Sequence, residues 1–241
     1  MTAEPETPTT EELLHGLSVQ GYLHLRAVGT SEEALLDLLG RLGRPCQGTF
    51  WSEVQMVTYK PGTSPAESVA ESDQVLPAHS DGSFEADPPE ILLLQCVRPD
   101  HPGCGESRVI TVDDVVAALP ADTVDRLREP RYSFTRRERS AMAAATAPII
   151  WRLPDGRDAI RYRHDEKYRI GTDSAEREAA VSLLAETVRG LTQRRTVPLG
   201  TGDVLVLDNR RCLHARTALS GEVVRQLRTA WGDFEPRLVE P

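Results

Sequence analysis

The sequence predicts a mainly β fold, a β-sandwich or jelly roll with flanking helices. Segments rich in β-branched and apolar residues dominate the middle and the C-terminal end of the chain. Helical patterns gather near the start and in one late insertion. No regular alternation of strands and helices is present, so a doubly wound parallel sheet is disfavoured.

The first third of the chain has two predicted helices and two predicted strands. Thr10 opens a short amphipathic helix, and "GYLHLRAV" is typical of a strand. "SEEALLDLLGRLG" predicts a second helix, with Ser31 as N-cap, acidic residues in its first turn and Gly43 near its end. "VQMVTYK" predicts a strand, and "PGTSPAESVAESDQ" is a loop long enough to be a lid or a binding loop.

The remaining elements are predicted from the same kinds of pattern. "EILLLQCVR" and "GESRVITV" are typical of strands, and "DDVVAALPADTVDRL" of one or two short helices. "IIWRLPDGRDAIRYR" predicts a hairpin that turns at Asp155-Gly156. "DSAEREAAVSLLAETVRGLTQR" predicts a long helix capped by Asp173 or Ser174, and short strands are expected after it.

Composition excludes several classes of function. The 241-residue chain has a formal net charge of −9, which argues against nucleic acid or an anionic membrane as a partner. We expect a flexible N-terminal tail over residues 1–9 and a single domain over residues 10–241. The tail lacks the pattern of a signal peptide, and the four cysteines lack CxxC spacing, so we expect a cytoplasmic protein with reduced thiols.

Three residues form a candidate metal site. His79 and Asp81 are two residues apart, and at that spacing on a strand both side chains point to the same face. His214 follows "GDVLVLDNRRCL", a strand and turn that would bring it to the mouth of a barrel. Two imidazoles and one carboxylate occupy one face of a metal ion and leave three positions open, as in non-haem Fe(II) oxygenases. The alternative for His79 and Asp81 alone is a hydrogen-bonded pair on the surface.

Arginines downstream of His214 are candidates for binding a co-substrate. An iron centre that activates oxygen needs electrons, commonly from 2-oxoglutarate, whose distal carboxylate suits a bidentate arginine. Arg225 and Arg228 are three residues apart, so on a regular strand only one of them can point inward. Arg216 has either a supporting role at the site or a purely structural one.

The order of motifs "HSD…PPEILLLQCVRP…GCGES…GDVLVLDNRRCLHAR…VVRQLRTAWGD" resembles the taurine dioxygenase family of Fe(II)/2-oxoglutarate oxygenases. That family includes aryloxyalkanoate dioxygenases and γ-butyrobetaine hydroxylases. The resemblance runs from about residue 54 onward and is weakest between residues 120 and 195. It implies a double-stranded β-helix core, Fe(II) bound by His79, Asp81 and His214, and 2-oxoglutarate and O2 as co-substrates.

The resemblance also assigns the 2-oxoglutarate residues. "CGES" corresponds to a Gly-Gly-Asp/Glu-Thr/Ser element, so Ser107 is expected to hydrogen-bond the carboxylate of 2-oxoglutarate, although Cys104 stands where the family often has glycine. Arg225 corresponds to the arginine that binds the same carboxylate. A related branch that oxidises amino acids has this arginine slightly later, which would favour Arg228. Ala215 in "HAR" departs from the common His-Gly-Arg.

The implied activity is oxidation of an unactivated C–H bond of a small molecule, such as an amino acid or other carboxylate, with release of succinate and CO2. Hydroxylation, desaturation and cyclisation are all compatible with it. Related halogenases replace the carboxylate ligand with a small residue, so an intact Asp81 argues against halogenation. Phe84 is a candidate substrate contact. Arg161 and Arg163 could share a face and hold a substrate carboxylate, or form a solvated stripe.

Other interpretations and partners stay open at this point. Trp51, Tyr59 and Trp231 are either pocket or core residues, and the segments 64–74 and 136–148 are candidate lids. A zinc hydrolase with the same three ligands and a non-catalytic jelly-roll sensor are the two alternative functions. We expect a small-molecule substrate, no nucleic acid and no membrane, and the sequence leaves a homo-oligomer open.

Overall fold

A computed structural model describes residues 8–46, 54–136 and 145–235 of the chain. The helices are α1 (Thr10–Gln20), α2 (Glu32–Leu42), α3 (Pro65–Ser68), α4 (Val112–Ala118), α5 (Ala121–Leu127) and α6 (Ala175–Leu191). The strands are β1 (Tyr22–Leu25), β2 (Gly43–Pro45), β3 (Val54–Thr58), β4 (Leu76–His79), β5 (Ile91–Arg98), β6 (Ser107–Thr111), β7 (Tyr132–Arg136), β8 (Ala145–Ala147), β9 (Ile150–Arg152), β10 (Asp158–Ile160), β11 (Tyr168–Gly171), β12 (Thr196–Val197), β13 (Val204–Asp208), β14 (Cys212–Arg216) and β15 (Gln226–Phe234).

Two antiparallel sheets form the centre of the molecule. The major sheet has the strand order β1-β13-β5-β15-β2, with β3 also paired to β15, and the minor sheet has the order β12-β6-β14-β4. A small sheet of β11, β7 and β8 and a hairpin of β9 and β10 lie outside this pair. The arrangement confirms the prediction of a jelly-roll core with flanking helices.

Apolar side chains fill three separate layers. Along β5, Leu92 and Leu94 pack between the two sheets, whereas Ile91 and Leu93 pack against α1 and α2. Successive residues of a strand point to opposite faces, so β5 is buried on both sides and is continuously apolar. The outer face of the minor sheet packs against α4, α5 and α6 through residues such as Leu213. The space between the sheets is therefore enclosed on both sides.

Helix boundaries follow from capping residues. Ser31 accepts a hydrogen bond from Ala34 N at the start of α2, and Gly43 ends that helix, as expected. Ser174, not Asp173, caps α6. Helix α1 begins at Thr10, as predicted. The residue before it, Thr9, is the N-cap, because its side chain forms a capping box with Glu12.

The structure corrects several element predictions. The loop over residues 61–74 contains the short helix α3, because Ser64 and Glu67 form a capping box around Pro65. Strands β2, β7, β8 and β11 were not expected, and β15 has nine residues rather than being short. Residues 1–7 of the expected tail, Trp51, and residues 137–144 of one candidate lid lie outside the described residues. None of the described helices is long and apolar enough to cross a membrane.

Packing of α2 on the major sheet gives a stability prediction. Leu39 is fully buried, and a Cβ built on Gly232 of β15 would lie 2.7 Å from Leu39 Cδ1, so the helix rests directly on the strand backbone. We expect Leu39→Ala to lower the free energy of unfolding by about 2–4 kcal/mol in urea titrations, because it leaves a cavity. Leu183→Ala in the exposed part of α6 is the control, with an expected change below about 0.5 kcal/mol. Equal losses for the two variants would contradict the packing.

Candidate metal centre

Two histidines face each other across the β4–β14 ladder. His79 and His214 are directly opposite in the register, and their ring centroids are 4.2 Å apart. Their neighbours Ala78, Leu213 and Ala215 belong to the outer apolar layer of the minor sheet. Strand alternation therefore turns both imidazoles into the space between the sheets, where both are buried.

Asp81 completes the group from a turn. It lies two residues beyond the end of β4, so the predicted pairing with His79 on one strand face is wrong, although the two side chains do meet. Asp81 Oδ1 lies 3.3 Å from His79 Nε2 and 3.8 Å from His214 Nε2. One ligand atom from each of the three residues lies within 4.8 Å of the others. Three donors thus converge on one point.

Two residues that the sequence did not single out for this role hold Asp81. Asn209 Oδ1 accepts a hydrogen bond from Asp81 N at 2.8 Å, and Asn209 Nδ2 donates to Asp81 O at 2.9 Å and to Pro89 O at 2.8 Å. The indole Nε1 of Trp231 donates to Asp81 Oδ2 at 2.8 Å. One carboxylate oxygen is therefore committed to Trp231, and the other faces the imidazoles. Contacts of this kind fix the orientation of a metal ligand.

The two imidazoles have different surroundings. His79 Nδ1 donates a hydrogen bond to Pro77 O at 2.8 Å, which orients the ring with Nε2 towards Asp81. Burial is the main cause that lowers the pKa of His214, and the nearby charges of His79 and Arg163 act in the same direction. The resulting pKa is about 3, so His214 is neutral at physiological pH. His214 Nδ1 is buried and has no hydrogen-bond partner among the described residues.

Asp81 is ionised in this environment. Burial acts to raise its pKa, but hydrogen bonds from His79 and Trp231 and the nearby imidazoles outweigh burial and lower it. Two imidazoles and one carboxylate then face a common point. This donor set fits a first-row divalent ion such as Fe(II), with the remaining coordination positions left for other ligands.

A buried arginine lies in the same enclosed space. Arg225 directly precedes β15, is 5% exposed and shares the face of Leu227, which packs between the sheets. A Cβ on Gly105 would lie 2.9 Å from Arg225 Cδ, so glycine is required there, at a φ of +63°. Gly105 is the second residue of the "CGES" motif. Cys104 replaces the first glycine of the family element, and the second glycine, which packs against Arg225, is kept.

The charge of Arg225 is not offset. Burial lowers its pKa to about 10, which leaves the guanidinium charged at neutral pH. Within the described ranges, no carboxylate forms an ion pair with it and no acceptor hydrogen-bonds its guanidinium. An unpaired buried cation is costly, so this position favours an anionic ligand. Ser107, buried on β6 two residues after Gly105, shares the inward face of Val109.

The other candidate arginine lies on the opposite side of β15. Arg228 Nη1 donates to Gln95 Oε1 at 2.6 Å and to Thr30 O at 2.5 Å, and Nε lies 3.9 Å from Glu32 Oε2. These partners are on the face of the major sheet that α2 covers. The alternative that Arg228 binds the co-substrate is therefore not supported, because its side chain points away from the metal centre.

The three candidate substrate residues separate into two environments. Arg163 Nε donates to Asp165 Oδ2 at 3.0 Å, and its guanidinium carbon lies 3.8 Å from the ring centroid of Tyr168. Phe84 also contacts Tyr168, with ring centroids 5.3 Å apart. This group, which we call the Tyr168 cluster, lies near the metal centre, since Ser80, between the two ligands of β4 and its turn, exchanges hydrogen bonds with Tyr162, the residue before Arg163.

Arg161 has a different role. Its two Nη atoms donate to Glu85 O and Ala86 O, each at 3.2 Å, and thereby hold the segment that follows Asp81. The predicted strand face shared by Arg161 and Arg163 is not formed, because β10 ends at Ile160 and the next residues are irregular. Nothing in the sequence indicated Tyr168 or Asp165, which both lie in the least distinctive part of the chain.

The contact between Trp231 and Asp81 gives a test of the centre. Trp231→Phe removes the N–H donor and keeps most of the ring, so Asp81 loses its orientation. We expect the dissociation constant for Co(II) or Fe(II) to rise roughly tenfold or more in anaerobic calorimetric titrations. Trp151→Phe on β9 is the matched control and should bind the metal as the wild type does. An unchanged affinity in Trp231→Phe would show that the indole does not support the ligand.

Comparisons with known proteins agree with this geometry. The model of the family "Taurine catabolism dioxygenase TauD, TfdA family" matches residues 2–231. L-asparagine oxygenase of Streptomyces coelicolor is 30% identical over 195 residues, which cover 73% of this chain and 53% of that protein. Clavaminate synthase 2 of Streptomyces clavuligerus is 28% identical over 153 residues, 62% of this chain and 46% of that protein. The chain thus spans about half the length of these curated relatives.

Solved structures share the fold. A crystal structure of asparagine oxygenase superposes with a TM-score of 0.74 at 20% identity and covers 93% of this chain and 78% of its own. The non-heme iron oxygenase OrfP superposes with a TM-score of 0.71 at 18% identity, covering 94% of this chain and 80% of its own. Because the family model matches nearly the whole length, this chain belongs to the TauD/TfdA family.

Proposed function

We propose that the protein is an Fe(II)- and 2-oxoglutarate-dependent oxygenase that hydroxylates an unactivated C–H bond of an α-amino acid. The observation that carries the proposal is the unpaired Arg225 guanidinium, buried in the same space as the imidazoles of His79 and His214. A zinc hydrolase has no need of this cation.

The chain supplies ligands and placement. His79, Asp81 and His214 would hold Fe(II), and Arg225 with Ser107 would receive the distal carboxylate of 2-oxoglutarate. Bound together, the iron and this co-substrate supply the oxidising power from O2, with succinate and CO2 released. Arg225 and Ser107 would orient 2-oxoglutarate relative to the metal ligands. The apolar side chains between the sheets would exclude water from the site.

The substrate class is inferred from the Tyr168 cluster and from relatives. Arg163 Nε donates to Asp165, and the guanidinium stacks on the ring of Tyr168. Within the described residues, the two Nη atoms of Arg163 have no hydrogen-bond partner. An arginine in that state is pre-organised to bind a carboxylate. Solved relatives contain 2S,3S-3-hydroxyasparagine in asparagine oxygenase and (3S)-hydroxy-L-Arg in OrfP. An α-amino acid bound through Arg163 fits both observations.

The proposed activity can be tested by turnover. Fe(II)-loaded protein, 2-oxoglutarate and O2 are combined with each proteinogenic L-amino acid, and succinate and oxygenated product are measured by mass spectrometry. We expect one or a few amino acids to raise succinate formation and to gain one oxygen atom. Zinc-loaded protein should form no succinate. Iron-loaded protein that forms no succinate with any of these amino acids would count against the proposal.

Arg225 should govern affinity for 2-oxoglutarate and not for the metal. We expect Arg225→Met to raise the dissociation constant for 2-oxoglutarate roughly 30- to 1,000-fold, because a buried carboxylate loses its charged partner. Anaerobic calorimetry on the Fe(II)-loaded protein measures this constant. Arg228→Met, on the other side of the same strand, should bind 2-oxoglutarate as the wild type does. Equal effects of the two substitutions would contradict the assignment.

Arg163 and Arg161 should differ in their effect on the substrate. We expect Arg163→Met to raise KM for the amino acid roughly 10- to 150-fold, because a charged hydrogen bond to the substrate is lost. Arg161→Met should instead lower the unfolding temperature, since it releases the carbonyls of Glu85 and Ala86. Initial rates of succinate formation and thermal unfolding distinguish these outcomes. A larger KM effect at Arg161 would reverse the assignment.

We also propose that the protein acts in the reducing environment of the cytoplasm. Its four cysteines, all within the described residues, are free. Burial raises the pKa of Cys46 and of Cys96 to about 11, which keeps both as unreactive thiols at neutral pH.

A further inference from the structure

Arg216 lies two residues beyond His214 on β14 and is 4% exposed. It shares the inward face of His214, because residues two apart on a strand point the same way. No carboxylate in the described part of the chain lies within ion-pair distance of its guanidinium. The buried guanidinium donates to backbone carbonyls instead of pairing with an acid.

Arg216 Nε donates to the neighbouring Thr217 O at 3.3 Å, and all the other partners are backbone carbonyls of one short segment, residues 69–74, which we call the clamp segment. Nη1 donates to Ala70 O at 2.7 Å, and Nη2 donates to Ser72 O at 2.9 Å, to Gln74 O at 2.5 Å and, more weakly, to Val69 O at 3.4 Å. Val69 and Ala70 directly follow α3, so the guanidinium lies at the carbonyl end of that helix, where a cation is favoured.

The clamp segment is folded into a compact turn around Ser72. This residue is fully buried, and its Oγ donates to Val69 O at 3.0 Å and accepts from Gln74 N at 3.3 Å. Leu219 N, from the loop after β14, donates to Asp73 O at 2.8 Å. The segment is therefore attached to β14 and to the loop that follows it, and Arg216 makes most of these attachments.

The clamp segment leads directly into β4, the strand that ends at His79. The β4–β14 ladder has only two register pairs, His214 with His79 and Arg216 with Leu76, and the register is irregular between them. So short a ladder does not fix the relative position of its strands strongly. A side chain of β14 that grips the residues just before β4 supplies the missing constraint.

We propose that Arg216 is a positioning residue that docks the clamp segment onto β14 and thereby holds His79 opposite His214. The inference rests on the proposed metal centre, but not on the identity of the substrate or on turnover. Val69 and Gln74 of the clamp segment also line, with Asp165 and Lys167, a cavity of about 250 Å³ beside β4.

The test measures metal affinity and the exposure of the clamp segment in the full-length protein. Arg216→Met removes all the donors, and Arg216→Lys keeps the charge but loses the planar fork. We expect Arg216→Met to raise the dissociation constant for Co(II) about tenfold or more. Cleavage by a glutamate-specific protease after Glu67 or Glu71 should accelerate by a similar factor. Arg216→Lys should lie between Arg216→Met and the wild type in both measurements.

Arg228→Met is the matched control, because it removes a half-buried arginine that also donates to a backbone carbonyl, on the far side of the major sheet. It should leave the Co(II) affinity and the cleavage rate unchanged even if it lowers the unfolding temperature. If Arg216→Met does not fold, Arg216→Lys and Ser72→Ala, which weakens the same turn, are measured instead and should show smaller losses of the same kind.

The inference is overturned if the folded Arg216 variants bind Co(II) within about twofold of the wild type. It is also overturned if they lose affinity without any change in cleavage at Glu67 and Glu71. Failure of the proposed function is a separate result. Wild-type protein that binds Co(II) at the three ligands but shows no response to 2-oxoglutarate would leave the comparison between Arg216 and Arg228 variants intact.

Discussion

The pairing of β4 with β14 is the constraint on which the rest of the site depends. It turns two imidazoles toward each other in the space between the sheets, with 4.2 Å between ring centroids. Asp81 enters from the turn after β4 and is held there by Asn209 and Trp231, which belong to the opposite end of the sequence. A three-residue metal centre is thus assembled by strands and turns that are more than a hundred residues apart, so its geometry depends on the whole sandwich.

Four arginines in this part of the molecule differ in their partners. Arg216 and Arg228 donate to backbone carbonyls and hold segments of chain in place. Arg163 is held by a carboxylate and an aromatic ring. Arg225 has none of these partners among the described residues, and burial lowers its pKa only to about 10, so its charge persists. The contrast supports the proposal that Arg225 receives an anionic co-substrate, since a cation buried without an ion-pair partner is destabilising.

Much of this could be predicted from the sequence, and the failures have physical causes. The caps Ser31 and Ser174 and the continuous apolar run of β5 are local signals, and local patterns fix helices and buried strands. The opposite directions of Arg225 and Arg228 followed from strand parity. The roles of Asn209 and Trp231 could not be predicted, because each depends on a contact with Asp81 across more than a hundred residues. Strand β4 is only four residues long, and pairing with β14, not local composition, makes it a strand.

The central claim is that iron and 2-oxoglutarate bind side by side between the two sheets. An anaerobic visible-absorbance titration of the Fe(II)-loaded protein with 2-oxoglutarate tests this most directly and requires no knowledge of the substrate. The account predicts a new metal-to-ligand charge-transfer band that saturates with added 2-oxoglutarate and is absent from His79→Ala. Iron bound at one equivalent with no band at any concentration of 2-oxoglutarate would contradict it, and a metal-dependent hydrolase or a sensor would then be the better explanation of the three ligands.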